Sequence, residues 1–280
     1  MTFQIGENCK IHPSVIINVD SGYLGAGSIL NEGVRLEGSS IKIGKEAFLD
    51  RNSSIGGGSC FDAQAFLVTG DWLHMGVNSH VNTACGVTIG HEFGCGIDTK
   101  IFTHGAYIDG FSLGAPVQWS SVEIGDSVWL PNAWVNPGVK IGSNVVVAAR
   151  SLVSRNIPSN SLAGGTPCQV LKENYLPREL STSEKIEFMN QIFVQAKQRL
   201  KKLGSTFESQ LNYEPETQIT SVTSSEGVTQ FFMLERLLRG PASEASMIFK
   251  DQLRRNGVRF RYGDHNGHWR QWGSDPLRLF

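Results

Sequence analysis

The chain has 280 residues, enough for one or two domains with a sizeable core. Its formal net charge of −1 gives no electrostatic case for nucleic acid or a membrane surface. No segment reaches the apolar length that spans a bilayer, so a transmembrane protein is not expected.

A six-residue rhythm opens almost at once, with Ile5-Gly-Glu-Asn-Cys9 and Ile11, and resumes at Leu24, Leu30 and Leu36. It continues through Ile43, Leu49 and Ile55, then Met75, Val81 and Val87, then Ile89, Cys95 and Ile101. The last units run from Ile124-Gly-Asp-Ser-Val128-Trp-Leu130 through Ile141-Gly-Ser-Asn-Val145 to Val153. An aliphatic residue begins each unit, a small or polar one usually follows, and a small residue stands four places on. Such a period suits neither a helix nor an alternating strand. It predicts a solenoid of short parallel strands in which each coil covers the core of the next. Two stretches break the rhythm: residues 57–74 and a loop of about twenty residues from Thr103 to Val122. One unit, Leu130-Pro-Asn-Ala-Trp134, is a residue short, a loss that Pro131 and Asn132 suit at a corner.

The cysteines are Cys9, Cys60, Cys85, Cys95 and Cys168, several of them on or beside small inward positions of the repeat. They read as reduced core residues, and the start Met1-Thr-Phe-Gln-Ile-Gly lacks the regions of a signal peptide. The expectation is a cytoplasmic protein.

The solenoid closes near Ser159–Pro167, and a helix follows from about Ser181 to Leu203. Ser181 and Glu184 have capping-box spacing, and Gly204 marks the end. Its apolar residues are Ile186, Met189, Phe193, Ala196, Leu200 and Leu203. Packing on its own solenoid is the preferred reading, with a seam between subunits as the other. Residues 205–280 form a small α+β unit of unknown role: strands at Thr217–Thr223 and Val228–Leu237 joined by Ser224-Ser-Glu-Gly227, a helix over 242–256 stopped by Gly257, and a strand at Val258–Tyr262. The tail from Trp269 to Phe280 has no assignment. Arg254, Arg255, Arg259, Arg261 and Arg270 make this region basic, more in the manner of a solvated face than of a phosphate site.

Residues 75–172 resemble the hexapeptide-repeat acyltransferases, and among them the sugar O-acetyltransferase branch. The resemblance rests on Ile101-Phe-Thr-His104, the extruded loop, Val122-Glu-Ile-Gly-Asp-Ser-Val-Trp-Leu130 and Val135-Asn-Pro-Gly-Val-Lys-Ile-Gly142. It continues through Ala148-Ala-Arg-Ser151, Ser154-Arg-Asn-Ile-Pro158 and Leu162-Ala-Gly-Gly-Thr-Pro-Cys168. It implies a mainly β fold: a left-handed parallel β-helix over residues 1–172, then the linker and long α-helix of residues 173–204 and the small α+β domain of 205–280. Left-handed crossovers run against the general rule, so handedness comes from the resemblance alone. It also implies a homotrimer with active sites between subunits, and acetyl-CoA as co-substrate.

Acetyl transfer from a thioester to a hydroxyl needs a base for the hydroxyl proton, and imidazole suits that task near neutral pH. In the resembling enzymes this histidine starts the extruded loop, where His104 stands. His80 lies about eighteen residues, one coil, before Asp98, so the two are expected to stack; His80 is a candidate for the acceptor pocket or a competing base. Asp109, Asp98 and Glu92 are the nearest carboxylates in sequence for orienting His104, and a backbone carbonyl would also serve. Asn82 is the candidate acceptor contact, with a turn-forming role equally open. On the donor side the resemblance implies Trp129 and Asn132 beside the cleft and Ala149 against the pantetheine arm. It adds Ser154, Arg155, Gly165, Thr166 and Lys172 as further cofactor contacts. Arg150 stands where glycine is usual and Gln169 where a basic residue is frequent.

The reading is an acetyl-CoA-dependent O-acetyltransferase acting on a sugar or glycan. N-acetylation of an amino sugar is the alternative within the enzyme class, and a non-catalytic assembly or binding subunit lies outside it. A zinc hydratase on the same scaffold needs three convergent histidines, and the spacing of His80, His91 and His104 does not match its pattern, so no metal is expected.

Overall fold

The computed structural model describes residues 2–202 and 210–262. They form two compact units, Met1–Arg178 and Glu179–Phe280.

The first unit is a parallel β-solenoid whose short strands stack in three ladders. The first ladder carries Leu36, Ile55, Val81, Ile101, Val135 and Val153 at one level. The second carries Ile41, Leu67, Val87 and Val122. The third runs through Leu30, Leu49, Met75, Cys95 and Leu130. All these side chains are buried in one continuous core. Each buried aliphatic side chain contributes about 1.5–3 kcal/mol, and each needs the coils above and below to cover it. The antiparallel hairpin of Leu162–Gly165 with Cys168–Lys172 ends the parallel stacking.

Where a glycine follows the residue that ends the second-ladder strand, it does so for a spatial reason. At one corner Gly6, Gly25, Gly44, Gly70, Gly90, Gly125 and Gly142 follow one another up the solenoid. A Cβ on Gly44 would lie 2.4 Å from the carbonyl carbon of Gly70, and one on Gly25 equally close to that of Gly44. Coils approach so closely at this edge that no side chain fits between them.

The interruptions are narrower than the sequence implied. Leu67–Thr69 and His74–Met75 already belong to the ladders, so the first insert covers only residues 57–66. The long loop begins and ends as a small hairpin, His104–Gly105 against Gln118–Trp119, and the ladder resumes at Val122. Both inserts leave the same corner, between the first and second ladders. One coil separates them, and its own corner, Asn82 to Gly86, is short.

Cys60, Cys95 and Cys168 are buried, and all five cysteines carry free thiols. Burial pushes the Cys95 thiol up to about 11.

The described residues of the second unit form two helices and a five-stranded sheet. The helix α1, Thr182–Lys202, starts with the expected capping box: Ser181 N–H donates to Glu184 at 2.9 Å and Glu184 N–H to the Ser181 hydroxyl at 3.3 Å. Its buried face is Met189, Ile192, Ala196 and Leu200, which share a core with Val222, Phe231, Leu238 and Phe249 of this unit. The expectation that this face packs on the solenoid is therefore corrected: the helix belongs to the C-terminal core. Ile186 is partly exposed and Ile192 takes its inward place. The strand Gln210–Glu214 was not foreseen, and the run expected as Val228–Leu237 divides into Gly227–Phe232 and Leu237–Arg239 at a turn where Arg236 has φ +54°. A second helix, α2, spans Glu244–Arg255, with Ser243 capping its start, and Gly257 lies beyond its end. The Val258–Tyr262 strand is reduced to Arg261–Tyr262.

Two of the arginines read as a solvated face do other work. Asp251 is buried, and Arg199 of α1, Arg254 and Arg255 donate to its carboxylate at 2.6, 2.8 and 3.0 Å. Burial alone would push this carboxyl up, but Arg254 and the hydrogen bonds from Arg199 and Arg255 outweigh it and hold it below the usual range. Leu203, Gly204, His265, His268, Arg270 and the tail from Trp269 lie outside the described residues.

Candidate functional site

The two inserts and the short corner between them bring His104, Asn82, Thr103 and His80 together. His104 is half-buried at the mouth of the long loop, and its Nδ1 lies 3.0 Å from Asn82 Oδ1. Asn82 is buried one coil away, and its amide nitrogen donates to the Gly56 carbonyl at 3.3 Å. The Thr103 side chain, wholly buried, donates to the same Asn82 oxygen at 2.6 Å. On the exposed side the Trp119 ring stacks on His104.

Glycines 57 and 58 form the floor. A Cβ on Gly57 would lie 3.0 Å from Asn82 Nδ2 and 3.4 Å from His80 Nε2. On Gly58 its closest neighbour would be His104 Cε1 at 4.0 Å, so this turn leaves room beside the imidazole. Farther along, Tyr107 and Phe111 are wholly exposed on the loop.

His80 is level with Ser54 and Lys100, so the stacking expected with Asp98 does not occur. The coil is longer there than eighteen residues, and Asp98 sits exposed at a left-handed corner with φ +58°. His80 Nδ1 lies 2.9 Å from Ser54 Oγ. Burial, helped by the Lys100 charge, lowers its pKa below 6.5. Asp109 is exposed and accepts from the Phe111 and Ser112 amides, both at 2.8 Å, which hold its carboxyl low. Glu92 occupies another left-handed corner, at φ +60°. The partner that His104 meets through Nδ1 is thus an amide rather than one of the three carboxylates.

The donor-side candidates are spread over two corners, the third ladder and the closing hairpin. Asn132, Ala149, Gly165 and Thr166 gather at the corner between the third and first ladders. Asn132 donates to the Ile97 carbonyl at 2.9 Å, and Thr166 to the Arg150 carbonyl at 3.0 Å. Ala149 is exposed, and Arg150 takes the left-handed φ of +59° that usually favours glycine. Trp129, half exposed, lies over Gly94, where a Cβ would meet the indole at 2.8 Å. Ser154 and Arg155 are exposed on the corner that carries His104, two coils on. Lys172 and Gln169 are exposed on the closing hairpin, the lysine 5.8 Å from the centre of the Tyr175 ring. Between the two corners runs the outer side of the first ladder, with Ser54, His80, Lys100, Trp134 and Leu152 in line.

Sequence reasoning assigned no role to Thr103 or Ser54, although Thr103 stands within Ile101-Phe-Thr-His104; only the coil register sets them beside Asn82 and His80. Among the described residues no cluster of three or more metal-binding side chains occurs, and no helix is long and apolar enough to cross a membrane.

No family model matches the chain. The galactoside O-acetyltransferase of Escherichia coli is 45% identical over 53 residues, 19% of this chain and 26% of the relative. The putative lipopolysaccharide biosynthesis O-acetyl transferase WbbJ of the same organism is 35% identical over 112 residues, 35% of this chain and 56% of the relative. This chain therefore spans about a quarter of the first relative and just over half of the second. Among solved structures, the hexapeptide-repeat acetyltransferase VCA0836 of Vibrio cholerae, in complex with acetyl-CoA, matches with a TM-score of 0.35 and 21% identity. That match covers 61% of this chain and 70% of the other. Over the stretches these sequence matches cover, the chain is similar to O-acetyltransferases.

Proposed function

We propose that the protein transfers an acetyl group from acetyl-CoA to a hydroxyl of a sugar or glycan, with His104 as general base. The carrying observation is the His104–Asn82 contact: one ring nitrogen is held by the scaffold, which leaves Nε2 for the acceptor. In the reaction Nε2 takes the acceptor proton while the hydroxyl oxygen attacks the thioester carbonyl carbon. The tetrahedral intermediate collapses with loss of the carbon–sulfur bond, and the imidazolium returns its proton to the thiolate. The names of the sequence relatives support acetyl transfer to a hydroxyl.

Acetyl-CoA fits the late coils. Ala149 and Gly165 offer a surface without bulk for the pantetheine arm, with Trp129, Asn132, Ser154 and Thr166 beside it. The exposed Arg155 and Lys172 are cations for its phosphates. His80 and Asn82 border the acceptor side. Within one chain His104 and Ala149 stand at different corners, a face of about five residues or ~16 Å apart along the strand. That separation supports a homotrimer in which neighbouring copies complete each site; a left-handed coil and a cytoplasmic location belong to the same proposal and rest on the family resemblance.

The test is release of free thiol from acetyl-CoA with a panel of methyl glycosides and amino sugars. A hydroxyl acceptor should give turnover that His104→Ala lowers by roughly 10²–10⁴. Retained turnover in that variant would remove the mechanism, and a preference for amines would change its acceptor.

A further inference from the structure

We propose that Thr103 is a positioning residue: through the Asn82 amide it fixes His104 in the tautomer that carries its proton on Nδ1. The inference rests on the reading of His104 as the base and adds how the base is set.

The hydrogen bonds leave one consistent arrangement. Cys85 N–H donates to Thr103 Oγ1 at 3.1 Å, so the hydroxyl hydrogen must point at an acceptor, and Asn82 Oδ1 at 2.6 Å is far nearer than the Asn82 backbone carbonyl at 3.3 Å and receives it. The other end of the amide faces the Gly56 carbonyl at 3.3 Å, which can only accept, so that end is the NH2 group. Ala84 N–H also points at the oxygen, at 3.4 Å. A carbonyl oxygen cannot donate. The 3.0 Å contact with His104 Nδ1 therefore requires a proton on Nδ1, and Nε2 keeps its lone pair. Turning the amide over would set its oxygen against the Gly56 carbonyl and its NH2 against the Ala84 N–H. It would also favour the proton on Nε2, the form useless as a base there. Thr103 is buried and stands next to His104 in the chain, so the same peptide that presents the imidazole also locks its holder.

The holder is neutral, which has a signature of its own. An amide orients the ring without adding an ion pair to the imidazolium formed during reaction, whereas a carboxylate would stabilise that imidazolium. Asn82→Asp is thus expected to move the acidic limb of the rate profile to higher pH.

The experiment combines nitrogen NMR on protein labelled in the histidine rings with thiol release from acetyl-CoA and the glycoside panel. In the unaltered protein the resonance pair lost in His104→Ala should report the Nδ1–H tautomer. Thr103→Val should turn this into a mixture and lower kcat roughly tenfold with KM for acetyl-CoA unchanged, and Thr103→Ser should restore both. A wild-type tautomer and rate in Thr103→Val would overturn the inference. If Thr103→Val does not fold, an unmoved acidic limb in Asn82→Asp overturns it instead. If His104→Ala stays active, the reading of the base fails, whatever the tautomer. If His104→Ala is dead while the Thr103 and Asn82 variants behave as wild type, this inference alone fails.

Discussion

The rings of His104 and Trp119 lie stacked, with centroids 4.8 Å apart and planes within 16° of parallel. They sit opposite each other on the two strands that open the long loop. The indole thus limits the swing of the imidazole on the side where Asn82 does not hold it. Aromatic pairs contribute about 0.5–1.5 kcal/mol beyond their buried area. Trp119→Ala is therefore expected to lower turnover several-fold, and Trp119→Phe to keep most of it, in the same thiol-release assay.

His80 should leave a mark on the pH dependence of stability. Its pKa in the fold lies below 6.5, first because it is buried and then because Lys100 is near. Protonation therefore favours the unfolded chain. The stability this site adds is full above 6.5 and is lost as pH falls through the lower, folded value. His80→Gln should lose less stability than the unaltered protein between pH 7.5 and 5. Urea unfolding at the two pH values measures the difference, and equal losses would refute the prediction.

In the second unit, Asp251→Asn removes the carboxylate that Arg199, Arg254 and Arg255 share. Breaking a buried ion pair from one side costs about 3 kcal/mol or more. A drop of that order in the unfolding free energy is expected in urea unfolding, with thiol release from acetyl-CoA the same as in the unaltered protein at temperatures where both remain folded.

Gly44→Ala tests the tight edge of the solenoid. The added carbon would lie 2.4 Å from the Gly70 carbonyl carbon and oxygen, both backbone atoms that cannot step aside. The expected cost is about 1–3 kcal/mol, the range for overpacked sites. Calorimetry should show a lower melting temperature, whereas Gly105→Ala, with open space around it and no positive φ, should leave this transition in place.

Much of the scaffold was readable because a stacked coil imposes one requirement again and again: Val81, Ile101 and Val135 are aliphatic since each must cover the next. His104 was legible as a candidate, because Ile101-Phe-Thr-His104 resembles the family's motif ahead of the extruded loop. Its holder was not. Asn82 and His104 are neighbours only through coil lengths, and coil length varies wherever an insert occurs. The same variation defeated the expected His80–Asp98 stack and placed the end of the first insert too late. In α1 the capping box was legible from two residues, Ser181 and Glu184. The destination of its apolar face was not, since Met189 and Ala196 would suit any greasy surface.

The glycine column acts as the spine of a bound book. Leaves fastened along one edge cannot slide past one another, yet their free margins can be cut to any length. In this molecule both long margins project at another corner, and extra chain there leaves Ile101 level with Val81 and Val135. Loop sequence between Gly105 and Gln118 is thus separable from the His104–Asn82 contact beneath it and can change without shifting the coils.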